Sequence, residues 1–195
     1  VVARYAGTLT VLSSDLKTAE NPVEVGADPY GVIEAGDHLV VAIAGQKELA
    51  RIPKNNPSYV VDRVALELDH PRGLALTDEG TLFVSHFNAG KLSTVDLEQG
   101  VPQSNVDMQL RENPRFFPNQ IDSLTLSPDQ SQIAVPHQET NNDPDQFAGG
   151  ENMNGLGSST VAYYSDGPTG YPAIVPAVSR LDTKAGLLLS KGPGT

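Results

Sequence analysis

The chain has 195 residues, no Cys, no Trp and a formal net charge of −11 at pH 7, from 13 Lys+Arg against 24 Asp+Glu. This acidity argues against nucleic-acid binding and against docking on anionic lipid. The longest apolar run, residues 39–44, is far shorter than the roughly 18 residues of a membrane-spanning helix. The lack of Cys excludes disulfides and thiolate metal sites within these residues. Since the sequence starts at Val1 without a signal-like segment, we expect a processed product or part of a longer protein.

The predicted elements are short β-strands separated by turns. Residues 7–12 fit the third strand of a four-stranded unit, so we expect the chain to enter in the middle of a unit. The clearest unit has an inner strand at 73–77, a second at 81–86, a third at 92–97 and an outer strand at 106–110. Apolar residues alternate with period two in these segments, which is typical of strands. No segment sustains a helical period, so we expect almost no helix.

Similar stretches recur along the chain. Pro29 and Pro71 are 42 residues apart, and Gly45 and Gly90 are 45 apart. A period of about 40–50 residues with several strands indicates a β-propeller blade. We therefore predict an all-β fold of three to four four-stranded blades. Because propellers close with about four to eight blades, we expect an incomplete ring, completed by missing sequence or by another chain.

We treat residues 1–195 as one propeller segment with one interruption. Residues 138–171, rich in Asn, Asp, Gly and Ser, delay the third strand of the last unit, which resumes at 178–182. A long insertion in a compact fold is usually functional or disordered.

The units resemble the YVTN family of β-propeller repeats, in the wider group related to the cytochrome d1 haem domain and nitrous oxide reductase. The matching features are Pro29, Pro71, the turns at 77–80 and 127–129, and the runs 82–85 and 88–97. The resemblance implies a propeller fold and export from a bacterial or archaeal cell, to the periplasm or outside. Some family members carry haem-binding domains or ligate copper through histidines at the propeller mouth.

Two histidines are candidate metal ligands. His86 and His137 each end a predicted second strand, so they hold equivalent places in adjacent blades. Two imidazoles facing one opening suit copper or zinc. The alternative is that each hydrogen-bonds a loop carbonyl.

The insertion contains a candidate calcium site. Asn141, Asp143 and Asp145 alternate like the oxygen ligands of a calcium loop, although the EF-hand spacing is not met. The alternative is a solvated polar loop.

Polar residues also stand near the predicted starts of inner strands. Asp28, His70, Arg72 and Asp122 are expected to surround the central channel, where they would bind a cation or a polar ligand. The alternative is that they cap turns or pair with one another.

The sequence therefore favours an exported propeller that acts as a binding or assembly scaffold with an acidic surface, completed by a protein partner or by further blades. The alternative is the propeller portion of a metal- or haem-dependent oxidoreductase with histidines near the channel mouth. A third possibility is a lactonase-like propeller whose central calcium would use Asp28 and Asp122.

Overall fold

The computed structural model describes residues 1–55, 62–108, 116–141, 174–184 and 188–193. In this part of the chain the regular structure consists of β-strands, all paired antiparallel, in four sheets of three, four, four and five strands. No helix long and apolar enough to cross a membrane occurs among the same residues. The predictions of an all-β fold and of three to four blades are confirmed.

The sheets follow one another along the chain, and we call them the first to fourth blade. The first blade is ordered β1 (Val2–Ala3), β2 (Thr8–Leu9), β3 (Val23–Glu24). The second is ordered β4 (Pro29–Ala35), β5 (His38–Ile43), β6 (Glu48–Pro53), β7 (Asp62–Ala65).

The third blade is ordered β8 (Pro71–Leu76), β9 (Thr81–His86), β10 (Lys91–Asp96), β11 (Val101–Asp107). In the fourth, β12 (Phe116–Asn119) and β13 (Thr125–Leu126) both pair with β14 (Gln132–Asn141), followed by β15 (Ile174–Asp182) and β16 (Leu188–Pro193). Each complete blade therefore runs from an inner strand to an outer strand.

A turn that recurs in three blades shows which strand positions the strands of the first blade occupy. The turn between second and third strands contains a residue with positive φ, and its carbonyl accepts a hydrogen bond from the residue after the outer strand. The three bonds are Val25 N to Gly7 O at 2.8 Å, Leu66 N to Lys47 O at 2.8 Å and Met108 N to Gly90 O at 3.0 Å. Since Gly7 lies between β1 and β2, the first blade holds a second, a third and an outer strand. The predicted entry in the middle of a blade is confirmed.

The core lies between blades. Three apolar clusters form, one at each contact between successive blades. The third blade contributes to two of them: Leu82 and Val84 pack toward the second blade, and Phe83 and Leu92 toward the fourth. Burying a large apolar side chain stabilises the folded state by about 1.5–3 kcal/mol. The second and third blades, which have an apolar cluster on each face, are therefore stabilised from both sides.

The inner strands approach one another so closely that small residues are required. A Cβ at Gly31 would collide with the carbonyl oxygen of Arg72, and one at Gly73 would lie 2.8 Å from the Cα of Ser123. These three small residues hold the same place in successive blades, three residues after Asp28, His70 and Gln120. The spacing of the blades thus depends on one residue position per blade.

Some boundaries differ from the sequence prediction. The second strand of the third blade, residues 81–86, matches β9, whereas the outer strand starts at Val101 rather than at residue 106. His137 does not end its strand, because β14 continues to Asn141 in register with β15. Residues 138–141 are therefore strand, and the rest of the predicted insertion, 142–171, lies outside the described residues.

The close approach at Gly73 predicts a specific loss of stability. Gly73→Ala places a methyl group against the backbone of the fourth blade, so the free energy of unfolding should fall by about 1–3 kcal/mol. Gly80, which has φ +88° and open space around it, provides the control: Gly80→Asn should change stability far less, because Asn tolerates positive φ. Urea denaturation measures both, and equal losses would contradict the packing argument.

Candidate functional site

The candidate residues gather at one end of the sheets. In an antiparallel blade the inner strand starts, the second ends, the third starts and the outer ends at the same edge. We call this edge the upper rim; it carries the residues that precede the inner strands (Asp28, His70, Gln120) and the turns at 44–47 and 87–90. The His70 carbonyl accepts the Phe87 N–H at 3.1 Å, which ties two of these segments together.

The three residues before the inner strands share a strained backbone. Asp28, His70 and Gln120 have φ of 54°, 52° and 53°, in the left-handed region. This conformation costs a residue with a Cβ about 1–2 kcal/mol, and such strain concentrates at functional sites. The repeated backbone aims a polar side chain of each blade at the upper rim, where His70 and Gln120 are exposed.

The second residue after each of these forms what we call the inner row: Tyr30, Arg72 and Asp122. The Arg72 guanidinium donates through Nη1 to Oδ1 of Asp122, and the Tyr30 hydroxyl donates to the same oxygen at 3.2 Å. Arg72 also lies over the Tyr30 ring, 4.5 Å from its centroid. The inner row therefore links the second, third and fourth blades through their polar side chains.

Two further side chains extend the inner row into a stack. The Phe87 ring covers Arg72 at 3.5 Å, and Arg4 lies 4.7 Å from the centroid of Tyr30. Arg4 donates from Nε and Nη2 to the two carboxylate oxygens of Asp28, at 2.7 and 3.1 Å. A cation over an aromatic face gains about 0.5–2 kcal/mol, so the stack contributes to cohesion as well as offering polar groups.

The stack has balanced charge. Two arginines face two aspartates, and the Arg72 side chain is only 16% exposed whereas that of Asp122 is 46% exposed. Arg4 holds the pKa of Asp28 below its ordinary value chiefly through their hydrogen bond; partial burial opposes this, and the charges of Arg72 and His70 add to it. The lowered pKa favours the ionised form of Asp28, and both carboxylates remain partly accessible to a ligand.

The structure brings together three of the four predicted channel residues. Arg72 and Asp122 form a direct ion pair. Asp28 is hydrogen-bonded by Arg4 and interacts electrostatically with Arg72. The His70 side chain is exposed, and its charge helps to lower the pKa of Asp28. Ligand binding at this site stays a prediction.

His86 is enclosed by hydrogen bonds. Its ring is fully buried, with Nδ1 donating to the Asp69 carbonyl at 3.0 Å and Nε2 at 2.8 Å from the Ser93 hydroxyl oxygen. Desolvation lowers its pKa. A metal at His86 would have to displace one of these two partners.

His137 holds the same place in the fourth blade that His86 holds in the third. Leu82 is buried, pairs with the inner strand of the third blade and lies four residues before His86; Ile133 does the same in the fourth blade and lies four residues before His137. Its Nδ1 donates to the Val135 carbonyl at 2.9 Å, and its Nε2 lies 3.5 Å from a Glu139 carboxylate oxygen. Within the described ranges, no three His, Asp or Glu side chains are grouped so that they could hold a metal ion. Copper or zinc binding stays a prediction.

The predicted calcium ligands are only partly placed. Asn141 is the last residue of β14, and Asp143 and Asp145 lie outside the described residues. Calcium binding there also stays a prediction.

Sequence reasoning missed Tyr30, Arg4 and Phe87. Tyr30 had an available signal, because it follows Pro29 as Arg72 follows Pro71. Arg4 and Phe87 are likewise equivalent, each three residues before the positive-φ glycine of its turn, Gly7 and Gly90. Their stacking partners depend on how neighbouring blades are spaced, which the sequence pattern does not give.

Comparisons with known proteins support the fold alone. No family model and no curated protein matches the chain. Among solved structures, a chain of Kuenenia stuttgartiensis hydrazine synthase matches with a TM-score of 0.69 at 18% identity, over 94% of this chain and 47% of that one. KlHsv2 with loop 6CD replaced by a Gly-Ser linker matches with a TM-score of 0.51 at 13% identity, over 95% and 46%.

A functionally unknown protein from Desulfotomaculum acetoxidans matches with a TM-score of 0.54 at 10% identity, over 94% of this chain and 63% of that one. The chain thus spans about half of the first two structures and less than two thirds of the third. Successive antiparallel blades of three to five strands with inner strands side by side, and propeller neighbours, define the fold as a β-propeller. At these identities nothing of the neighbours' activities carries over.

The ion pair of Arg4 and Asp28 predicts a pH dependence. Because the pKa of Asp28 is lower in the folded state, the pair stabilises above the ordinary Asp pKa of about 4. This contribution is lost as pH falls through the folded-state pKa. Asp28→Asn should therefore lose stability at pH 7, and its deficit relative to the wild type should shrink as pH falls below about 4. Urea denaturation across this pH range measures the difference, and a constant gap would contradict the assignment.

The inner row predicts unequal effects of its two hydrogen bonds. Asp122→Asn leaves the mostly buried Arg72 without its counter-charge, so the free energy of unfolding should fall by about 1–3 kcal/mol. Tyr30→Phe removes one neutral donor but keeps the ring under Arg72, and should cost about 0.5–1.5 kcal/mol. The two variants measured by thermal and urea unfolding rank the interactions, and a reversed order would refute the dominance of the Arg72 pair.

Proposed function

We propose that this chain is the blade segment of an exported β-propeller of YVTN type that acts as a binding or assembly scaffold. Further blades or a partner protein complete the ring. The proposal includes location in the periplasm or outside the cell, for which the residue pattern that resembles YVTN repeats is the support. The upper rim with its inner row serves as the binding surface.

The observation that carries the proposal is the contrast between inner and outer blade faces. In the second and third blades both faces are buried in apolar clusters. In the fourth, Ile133 and Leu181 pack on the third blade, while Pro136 and Val178, paired on the opposite face, are exposed. Val178 is 40% exposed. In a fold whose second and third blades are covered on both faces, the uncovered face of the fourth blade favours a covering partner.

The length comparison supports the same proposal. The chain spans 47% and 46% of two propeller-like structures that it matches. Because closure removes the open edges and faces of a propeller, a segment of this length gains stability from added blades. We assign these blades to a propeller partner, in the same polypeptide or in a second one.

Charge supports a binding role at the rim. Asp28 and Asp122 keep side chains that are 39% and 46% exposed although each is paired with an arginine. Exposed carboxylates held in fixed positions by cations bind polar or cationic groups with little reorganisation. This is the chemistry expected of a binding scaffold.

The open face of the fourth blade is tested by association. We expect the 195-residue chain to associate as its concentration rises from about 1 to 100 µM, and Val178→Glu to shift it toward the monomer, because a carboxylate on the covered face is costly to bury. Val101→Glu is the matched control, since Val101 is 50% exposed on outer strand β11. Size-exclusion chromatography with light scattering measures all three. Monomers at every concentration, or equal effects of both variants, would overturn the assignment of this face as an association surface.

A further inference from the structure

The ends of the blades opposite the upper rim enclose a cavity between the second and third blades. Here the inner strands end, the second strands start and the third strands end. The cavity has a volume of about 460 Å³, which lies within the range of about 300–1,000 Å³ for small-molecule sites. Its apolar wall is formed by Ala35, Val40, Leu76 and Leu97. These residues belong to the apolar cluster between the two blades or pack against it, so an aliphatic group in the cavity would extend that cluster.

The equivalent space between the third and fourth blades is bridged by a side chain. Gly80 and Gln130 hold the same place in the turns after the inner strands, since each has positive φ and donates its N–H to the carbonyl three residues earlier. Gln130 reaches back to the third blade, where its Oε1 accepts the Asp78 N–H at 2.6 Å, and the remaining cavity has a volume of about 240 Å³. Gly80 provides no such side chain, and a Cβ there would meet no atom within 4 Å. The contact between the second and third blades therefore lacks this bridge.

A lysine at the contact between the third and fourth blades has a glutamate as its counterpart at the cavity. Asp96 and Asp182 each end a third strand and pair with the first residue of the second strand. Glu98 and Lys184, two residues later, therefore hold equivalent places. The Lys184 Nζ lies 3.3 Å from Oε1 of Glu79, in the turn of the preceding blade. A cation thus bridges the blades at one contact, whereas Glu98 brings a negative charge to the other.

Negative charge dominates the polar wall of the cavity. Asp37 of the second blade and Glu98 of the third both line it and are exposed, and among the described residues neither carboxylate has an ion-pair partner. Arg51 and His38 also line the cavity, but Arg51 is already paired with Asp62, at 3.2 Å. Carboxylates from two blades therefore face one cavity without a counter-charge, and a cation placed there would reduce their repulsion.

We infer that this cavity binds a primary aliphatic amine, which is an ammonium ion at neutral pH as a lysine side chain is. The alkyl chain lies along the apolar wall. The ammonium group binds Asp37 and Glu98, as Lys184 binds Glu79 at the next contact. A free amine and a lysine side chain of a peptide both supply this group. The site lies at the opposite end of the blades from the inner row, so the inference goes beyond the proposed scaffold function.

A titration of the ¹⁵N-labelled 195-residue chain with hexylamine at pH 7 tests the inference. We expect saturable changes of amide chemical shift in residues 35–38, 78–81 and 96–98. Hexanoate, with the opposite charge, and methylamine, without the alkyl chain, should bind at least tenfold more weakly. Tighter binding of Nα-acetyl-lysine methylamide than of hexylamine would assign the ammonium group to a peptide, and weaker binding would assign it to a free amine. No saturable change up to about 50 mM hexylamine, or equal binding of hexanoate, would overturn the inference.

Variants of the two carboxylates test the assigned contact. Asp37→Asn combined with Glu98→Gln should weaken hexylamine binding at least tenfold. The matched control, Glu20→Gln combined with Glu24→Gln, removes the same charge from exposed residues of the first blade and should bind as the wild type does. Glu98→Lys supplies the cation that Lys184 supplies at the next contact, so it should abolish binding without lowering the melting temperature. Equal binding by the two double variants, or unchanged binding by Glu98→Lys, would refute the assignment.

Discussion

Contact between neighbouring blades is the constraint on which the rest of the structure depends. A single antiparallel sheet of this size cannot bury both faces, so each blade obtains its core from its neighbours. The three clusters supply the apolar part, and the small residues Gly31, Gly73 and Ser123 let the inner backbones touch. Once that spacing is fixed, the side chains on either side of the small residues are fixed as well. The inner row is a consequence of the same packing that stabilises the fold.

The inner row combines stability with recognition chemistry. Arg72 is held by a ring on each side and by a carboxylate, so its position is set before any ligand arrives. The Asp122 carboxylate that holds it remains accessible, with its side chain 46% exposed. A site assembled from one residue per blade can change its chemistry at each position without altering the sheets, which is why propellers host unrelated functions. The function of this chain therefore depends on its side chains and open surfaces rather than on the fold alone.

The sequence predicted the repeat and much of its strand order, because alternation and turns are local signals. The second strand at 81–86 and the entry in the middle of a blade followed from such signals. Asp28, Arg72 and Asp122 were also accessible to prediction, since each stands near a Pro or at a matching distance in the next unit. The partners Arg4 and Phe87 were not, because they come from turns whose positions depend on blade spacing. The length of β14 was missed because Gln138 and Glu139 interrupt the apolar pattern although both lie within the strand.

The chain of three clusters also has a consequence for how the molecule opens. Because each blade touches only its neighbours, the energetics approach those of a linear array in which each apolar cluster couples two successive blades. In the first blade the strands β1 to β3 are each two residues long, so it has the fewest backbone hydrogen bonds between strands. It shares one apolar cluster with the second blade. Among the four blades its amides should therefore open most often, and those of the second and third blades, which are packed on both faces, should open least.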